Sequence, residues 1–171
     1  SYLPSEPFLR YSRIDRKRVS QREIFVKSTE IRVSTTAVTL QTVVGSCVAV
    51  CLYDHDKKIG GMNHFLLPRS RPGHPDGPMG KFGNIAVPEL LRRMESFGAN
   101  RSNVVAKIAG GASILSISSH NHVPMENVKS AKEALVSLGI PIVGQDVGGS
   151  KGRKVIFNTG SGQVTIGDKV M

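Results

Sequence analysis

Val43-Val44-Gly45-Ser46-Cys47-Val48-Ala49-Val50-Cys51-Leu52-Tyr53 is the stretch that decides how this chain is read. It is a near-continuous apolar run, and it reads as a strand buried on both faces with a bend at Gly45 near its start. Asp54-His55-Asp56-Lys57-Lys58 follows as a polar turn, and Ile59-Gly60-Gly61-Met62-Asn63-His64-Phe65-Leu66-Leu67 reads as a second strand closed by Pro68. A hairpin closing on a two-residue loop at His55-Asp56 would set Cys47 directly opposite His64. Directly opposed side chains share a face, with Cβ atoms ~4.5–5.5 Å apart.

Working outward, the β-branched residues between Ile24 and Leu40 alternate loosely and suggest one or two further strands. Residues 68–82 hold Pro72, Gly73, Pro75, Gly77, Pro78 and Gly80 and read as a loop bordering a site. Val87, Leu90, Leu91 and Met94 recur at helical spacing, and Gly98 stops that helix. Val104 to Ala109 reads as a short buried strand. A second helical stripe, Val128, Ala131, Leu135 and Leu138, is expected to start at Asn127 as cap and end at Gly139. Strands follow at 140–145, 153–158 and 162–168. With strands at both ends and helices between, the pattern is α+β, or a layered mixed sheet, and not a regular doubly wound sheet.

The pairing of a cysteine with a histidine across two strands carries chemical meaning. A free thiol has a pKa of ~8.5 and is mostly protonated at neutral pH. A neighbouring imidazole takes that proton and can later return it to a departing amine. Small neighbours such as Gly45 and Ser46 leave backbone N–H groups open to a carbonyl oxygen that is becoming an oxyanion. A buried cysteine that is merely a small hydrophobe, beside a hydrogen-bonded structural histidine, fits the same spacing. Gly110, Gly111 and Ser113, with Lys107, either border this site or form a tight turn. Asn63 alternates to the opposite face, and Cys51 reads as core.

At 171 residues the chain suits one domain, and the absence of Trp makes its core aliphatic. Formal net charge is +10, concentrated early at Arg10, Arg13, Arg16, Lys17, Arg18 and Arg22. Residues 1–22 are therefore expected to form a basic N-terminal extension, and residues 23–171 the folded domain. Such a run is either a solvated tail or an attractor for an acidic partner. No recognition helix, zinc finger or aromatic platform accompanies it, so nucleic acid is not expected as a partner. No apolar run approaches the ~18 residues of a membrane span and no leader opens the chain, which suggests a soluble, cytoplasmic protein, not one integral to a membrane. The two cysteines lie too far apart in an extended strand to pair, and fit a reducing compartment. His120-Asn121-His122 lacks a third and fourth ligand at a recognised spacing, so neither metal nor cofactor is expected. Asp54, Asp56 and Asp76 read as solvated turn residues.

Gly45-Ser46-Cys47-Val48-Ala49-Val50-Cys51, Gly61-Met62-Asn63-His64 running to Leu67-Pro68, Lys107-Ile108-Ala109-Gly110-Gly111-Ala112, and Asp146-Val147-Gly148-Gly149 with Gly152-Arg153 together resemble the CheD family, in order and spacing over about residues 27–168. The resemblance implies a sandwich of two mixed β-sheets flanked by helices, a fold shared with certain toxin deamidases. It implies a cytoplasmic chemotaxis hydrolase with Cys47 as nucleophile and His64 as base. Its reaction would convert glutamine to glutamate on the cytoplasmic helices of chemoreceptors through a thioester, and it would also accept glutamyl methyl esters. The alternative within the family is a regulatory binding module for a partner such as the CheC phosphatase. A third catalytic residue, a threonine, is implied six residues before the cysteine. Gln41 stands there, and Thr42 is next. In a regular strand Thr42 would face away from Cys47, so its service requires a bulge or a shift at Gly45.

Overall fold

The structure, a computed structural model, describes residues 21–72, 77–114 and 122–171. Most of the basic N-terminal segment, together with Asp76, His120 and Asn121, lies outside the described residues. Ten strands and two helices follow in the order β1 (Arg22–Phe25), β2 (Ile31–Ser34), β3 (Val38–Val44), β4 (Val48–Asp54), β5 (Ile59–Phe65), α1 (Gly83–Ser96), β6 (Val104–Gly110), α2 (Val123–Leu138), β7 (Ile142–Val147), β8 (Arg153–Asn158), β9 (Val164–Ile166) and β10 (Lys169–Val170). They form two five-stranded sheets, β1-β3-β8-β9-β10 and β2-β5-β4-β6-β7. Each sheet is mixed, because β1 runs parallel to β3 and β6 runs parallel to β7 while the other pairs are antiparallel. The α+β sandwich flanked by helices is thus the architecture observed.

Burial explains the layering. In β4 every residue is buried, because Val48, Val50 and Leu52 pack under the helices while Ala49, Cys51 and Tyr53 face the other sheet. A strand covered on both sides can be apolar throughout. In β3 the pattern alternates, with Val38, Leu40, Thr42 and Val44 turned inward and Val43 exposed. One apolar layer therefore lies between helices and sheet, built on Leu90, Leu91, Met94 and Leu135. A second lies between the sheets, around Leu40, Met62 and Phe157.

Three expectations need correction. First, the apolar run from Val43 to Tyr53 is not one bent strand. Val44 ends β3 in one sheet, Val48 begins β4 in the other, and Gly45-Ser46-Cys47 is the crossing between them. Second, the β4–β5 turn holds residues 55–58, so Ala49 and not Cys47 stands opposite His64. The cause is Asp54, whose Oδ1 accepts the amide protons of Asp56 and Lys57 while Oδ2 accepts that of Asn100. That stitched turn is longer than a two-residue loop, and Asp54 is fully buried, not solvated. Third, Asn127 does not cap α2, which begins a turn earlier with His122 at its N-cap and Pro124 in its first turn. The register slips by an even number of residues, so the faces survive. His64 still turns toward the inter-sheet layer.

Candidate active site

The crossing residue Cys47 is half-buried and packs at the edge of the inter-sheet layer. His64 enters the same layer from β5 and is 7% exposed. Cys47 lies just before the ladder begins at Val48, two residues before Ala49, which stands opposite His64.

Thr42 reaches His64 from the opposite sheet. Its Oγ1 lies 2.8 Å from His64 Nδ1 and donates to the carbonyl of Val26 at 2.7 Å. A hydroxyl has one proton to give, and here Val26 O takes it, so Oγ1 can only accept from the ring. Nδ1 therefore carries the ring proton, and Nε2 is left with its lone pair. The objection that Thr42 must face away from Cys47 assumed one continuous strand. Because the chain changes sheets between them, both residues face the shared layer and no bulge is required. The backbone of His64 is also pinned, its carbonyl accepting from Thr29 N at 2.8 Å.

Burial pushes the Cys47 thiol above its ordinary value of 9.0, against smaller opposing contributions from the Ser46 hydroxyl and its own amide. Burial likewise holds His64 below its ordinary 6.5. Both shifts favour the uncharged forms, so the resting pair is thiol and neutral imidazole. Cys51, by contrast, is core: desolvation pushes it up to about 12.

Residues 66–168 match the family described as CheD chemotactic sensory transduction. A relative from Methanococcus vannielii is 42% identical over 142 residues, covering 82% of this chain and 92% of that protein. The chain belongs to the CheD family. That relative bears the name "Probable chemoreceptor glutamine deamidase CheD", as does one from Clostridium acetobutylicum that is 42% identical over 126 residues, covering 72% of this chain and 76% of that protein. Among solved structures, a Neisseria meningitidis protein of the family DUF152 superposes with a TM-score of 0.45 at 11% identity, covering 84% of this chain and 69% of that one. The family match begins just past His64, so the placement of Thr42, Cys47 and His64 rests on geometry.

The remaining site residues sort by position. Gly110 and Gly111 lie against the back of the crossing: Gly111 N donates to Cys47 O at 2.9 Å and Ala112 N to Gly45 O at 2.8 Å. Gly110 has φ +119°, and a Cβ there would collide with the Cys47 carbonyl oxygen. Only glycine allows that approach. Ser113 N donates to Gly149 O. The amides of Gly111 and Ser113 are thus already used, whereas those of Ser46 and Cys47 donate to no backbone carbonyl among the described residues. Lys107 pairs with Cys51, well along β4 from Cys47, and its Nζ contacts Gly162 O, so it is not brought to the site. Asn63 is structural: its Oδ1 accepts from Val50 N and its Nδ2 donates to Ala86 O.

Sequence reasoning missed Asn127 as a site residue. From α2 its Nδ2 donates to both Ser46 O and Leu66 O at 3.0 Å, joining the crossing to the end of β5. Pro124 was the signal, since proline belongs in a helix's first turn and moves Asn127 inside it. No helix among the described residues is long and apolar enough to cross a membrane.

Proposed function

We propose that the protein deamidates glutamine side chains on the cytoplasmic helices of chemoreceptors. The observation that carries this reading is the Thr42–His64 hydrogen bond, which leaves Nε2 as a proton acceptor in the layer that also receives Cys47. Family membership supplies the substrate class, through the names its relatives bear.

Cys47 Sγ attacks the side-chain carbonyl carbon of glutamine while its proton passes to His64 Nε2. The resulting oxyanion is held by the amides of Ser46 and Cys47, with Gly45 keeping the approach open. Collapse breaks the C–N bond, His64 returns its proton to the nitrogen, and ammonia leaves behind a thioester. Water then attacks that carbonyl, its proton going to His64. The C–S bond breaks, glutamate is released and the thiol is restored. A glutamyl methyl ester would follow the same course with methanol as leaving group. The neutral resting pair suits this cycle, because the ring must accept a proton before it can give one back.

Beside the crossing lies a groove of about 450 Å³ that includes Gly111, Ser113, Met125, Val128, Lys129 and Lys132. Glu133 also lines it, 3.9 Å from Lys129 Nζ, and Gly111 and Ser113 form the side of the groove joined to the crossing. Its apolar floor and the remaining lysine, Lys132, suit an amphipathic helix.

The test is incubation with receptor cytoplasmic fragments, reading ammonia release and the amide-to-acid mass change by peptide mapping. Wild type should convert discrete glutamines and Cys47→Ala none. Conversion that persists in Cys47→Ala, or its absence in the wild type, would overturn the assignment. A Cys47→Ala protein that fully restores chemotaxis in a deletion strain would instead favour a regulatory binding role, for example toward a CheC-type phosphatase.

A further inference from the structure

We infer that Arg153, paired with Asp146, is a positioning residue for the Cys47 nucleophile, acting from the opposite sheet through the backbone of two glycine turns. Arg153 opens β8 and is the ladder partner of Val44, the last residue of β3 before the crossing. Its guanidinium leaves that sheet. Nε donates to Asp146 Oδ1 at 2.7 Å, Nη2 to Gly148 O at 2.6 Å, and Nη1 to Gly110 O at 3.4 Å. These acceptors belong to the other sheet: Asp146 is in β7, Gly148 follows it, and Gly110 ends β6. Gly148 N also donates to Gly110 O at 2.9 Å, so the two turns are joined to each other as well as to the arginine.

From there the chain of contacts leads to the nucleophile. The segment that starts at Gly110 holds the crossing by Gly111 N to Cys47 O and Ala112 N to Gly45 O, and is itself held by Ser113 N to Gly149 O. One planar cation thus fixes both turns that set where the Cys47 backbone stands. The ion pair is largely buried, with side-chain exposures of 13% for Arg153 and 28% for Asp146, so water competes weakly for these bonds. Nη1 also donates to Lys151 O at 3.5 Å, and a planar fork satisfying four acceptors in different directions is what guanidinium provides and a lysine ammonium does not. Buried cations on a surface strand often serve only to close the fold. Here the acceptors are the carbonyls next to the residues that hold Cys47, which makes the consequence catalytic.

The inference partly rests on the deamidase reading, so the experiment has two arms. Arg153→Lys, Arg153→Ala and Asp146→Asn are prepared beside wild type and Cys47→Ala, with thermal melting to confirm that each is folded at the assay temperature. The first arm follows receptor-fragment deamidation. In folded Arg153→Lys, kcat should fall about tenfold or more, because small misplacement of a reacting group is costly, while KM stays within about threefold. The second arm needs no substrate: iodoacetamide alkylation of Cys47 is followed against pH, Cys47→Ala correcting for the buried Cys51. Arg153→Lys should shift the pH midpoint and rate, and Asp146→Asn should shift them less in the same direction. A folded Arg153→Lys with wild-type kcat and an unchanged alkylation profile would overturn the inference, as would a defect confined to KM. If Arg153→Ala fails to fold, Arg153→Lys and Asp146→Asn decide. Should wild type fail to deamidate, the functional reading falls, and alkylation alone judges the clasp.

Discussion

Replacing Thr42 by Val keeps the shape of the side chain and removes only its hydroxyl. That hydroxyl serves two partners: it donates to Val26 O at 2.7 Å and accepts from His64 Nδ1 at 2.8 Å, and Thr42 itself is fully buried. Each orphaned buried polar group costs ~1–3 kcal/mol, which bounds the loss of stability at ~2–6 kcal/mol for the two. The ring can relieve its share by moving its proton from Nδ1 to Nε2. That relief is what harms catalysis, because Nε2 then donates and can no longer take the proton of Cys47. General base catalysis contributes ~10²–10⁴-fold, so kcat should fall at least ~100-fold, or ~2.7 kcal/mol in barrier height, with KM little changed. Thr42→Ser keeps the hydroxyl and should retain most of the activity. The assay is ammonia release from receptor fragments at saturation, run below the melting temperature of each variant. A folded Thr42→Val with kcat within ~3-fold of wild type, or a Thr42→Ser as impaired as Thr42→Val, would refute the tautomer argument.

Two further expectations follow from the site. Because burial lowers His64 from 6.5 and raises Cys47 from 9.0, the singly protonated pair persists between those limits. The kcat/KM profile should therefore have an acid limb centred below 6.5 and an alkaline limb centred above 9.0, and an acid limb centred above 7 would exclude a neutral resting pair. The same shift in His64 makes the folded state lose stability as pH falls through 6.5 toward the lower folded value, since the unfolded chain takes up the proton first; urea titrations of wild type and Thr42→Ser across pH 5–8 read this. Gly110→Ala and Gly148→Ala both place an alanine at positive φ, with strain of ~1–3 kcal/mol, but only the first drives a Cβ into the Cys47 carbonyl. Gly110→Ala should abolish turnover and Gly148→Ala should mainly lower the melting temperature; equal activities would remove the close approach from the mechanism.

How much of this was legible in the sequence depended on whether the signal was local. The alternation in β3, the doubly buried β4 and the stripes of both helices follow from side-chain periodicity, which tertiary context only confirms. Asp54 defeated the hairpin register because a carboxylate that collects three amide protons reshapes a turn, and neighbouring residue types alone do not disclose that. The sheet change at Gly45 was hidden for a related reason: Val43-Val44 and Val48-Ala49 are both apolar, and nothing in periodicity marks where one sheet ends and another begins. Thr42 therefore looked turned away, although its hydroxyl meets His64. Asn127 and Arg153 act through bonds to residues 81 and 43 positions away, Ser46 O and Gly110 O. Such long-range partners have no spacing signature.

The placement of Cys47 in a crossing, and not in a strand, has a physical reason that can be tested directly. Within β4 every amide is committed to the ladder or the interior, and each odd-numbered side chain from Ala49 onward is sealed between the sheets. At Gly45-Ser46-Cys47 the chain has left one ladder and not yet joined the other, so the Cys47 side chain packs against the inter-sheet layer while the amides of Ser46 and Cys47 donate to no backbone carbonyl among the described residues. Ala49 separates the two requirements, because it stands directly opposite His64 and is fully buried. A thiol placed there, Ala49→Cys in a Cys47→Ala background, would have its Cβ ~4.5–5.5 Å from that of His64. Proximity of sulfur to imidazole is then satisfied, and access together with the oxyanion amides is not. The double variant should melt cooperatively, resist iodoacetamide and show no deamidation. Turnover approaching wild type would mean that thiol–imidazole distance suffices and that the open backbone of the crossing plays no part in the reaction.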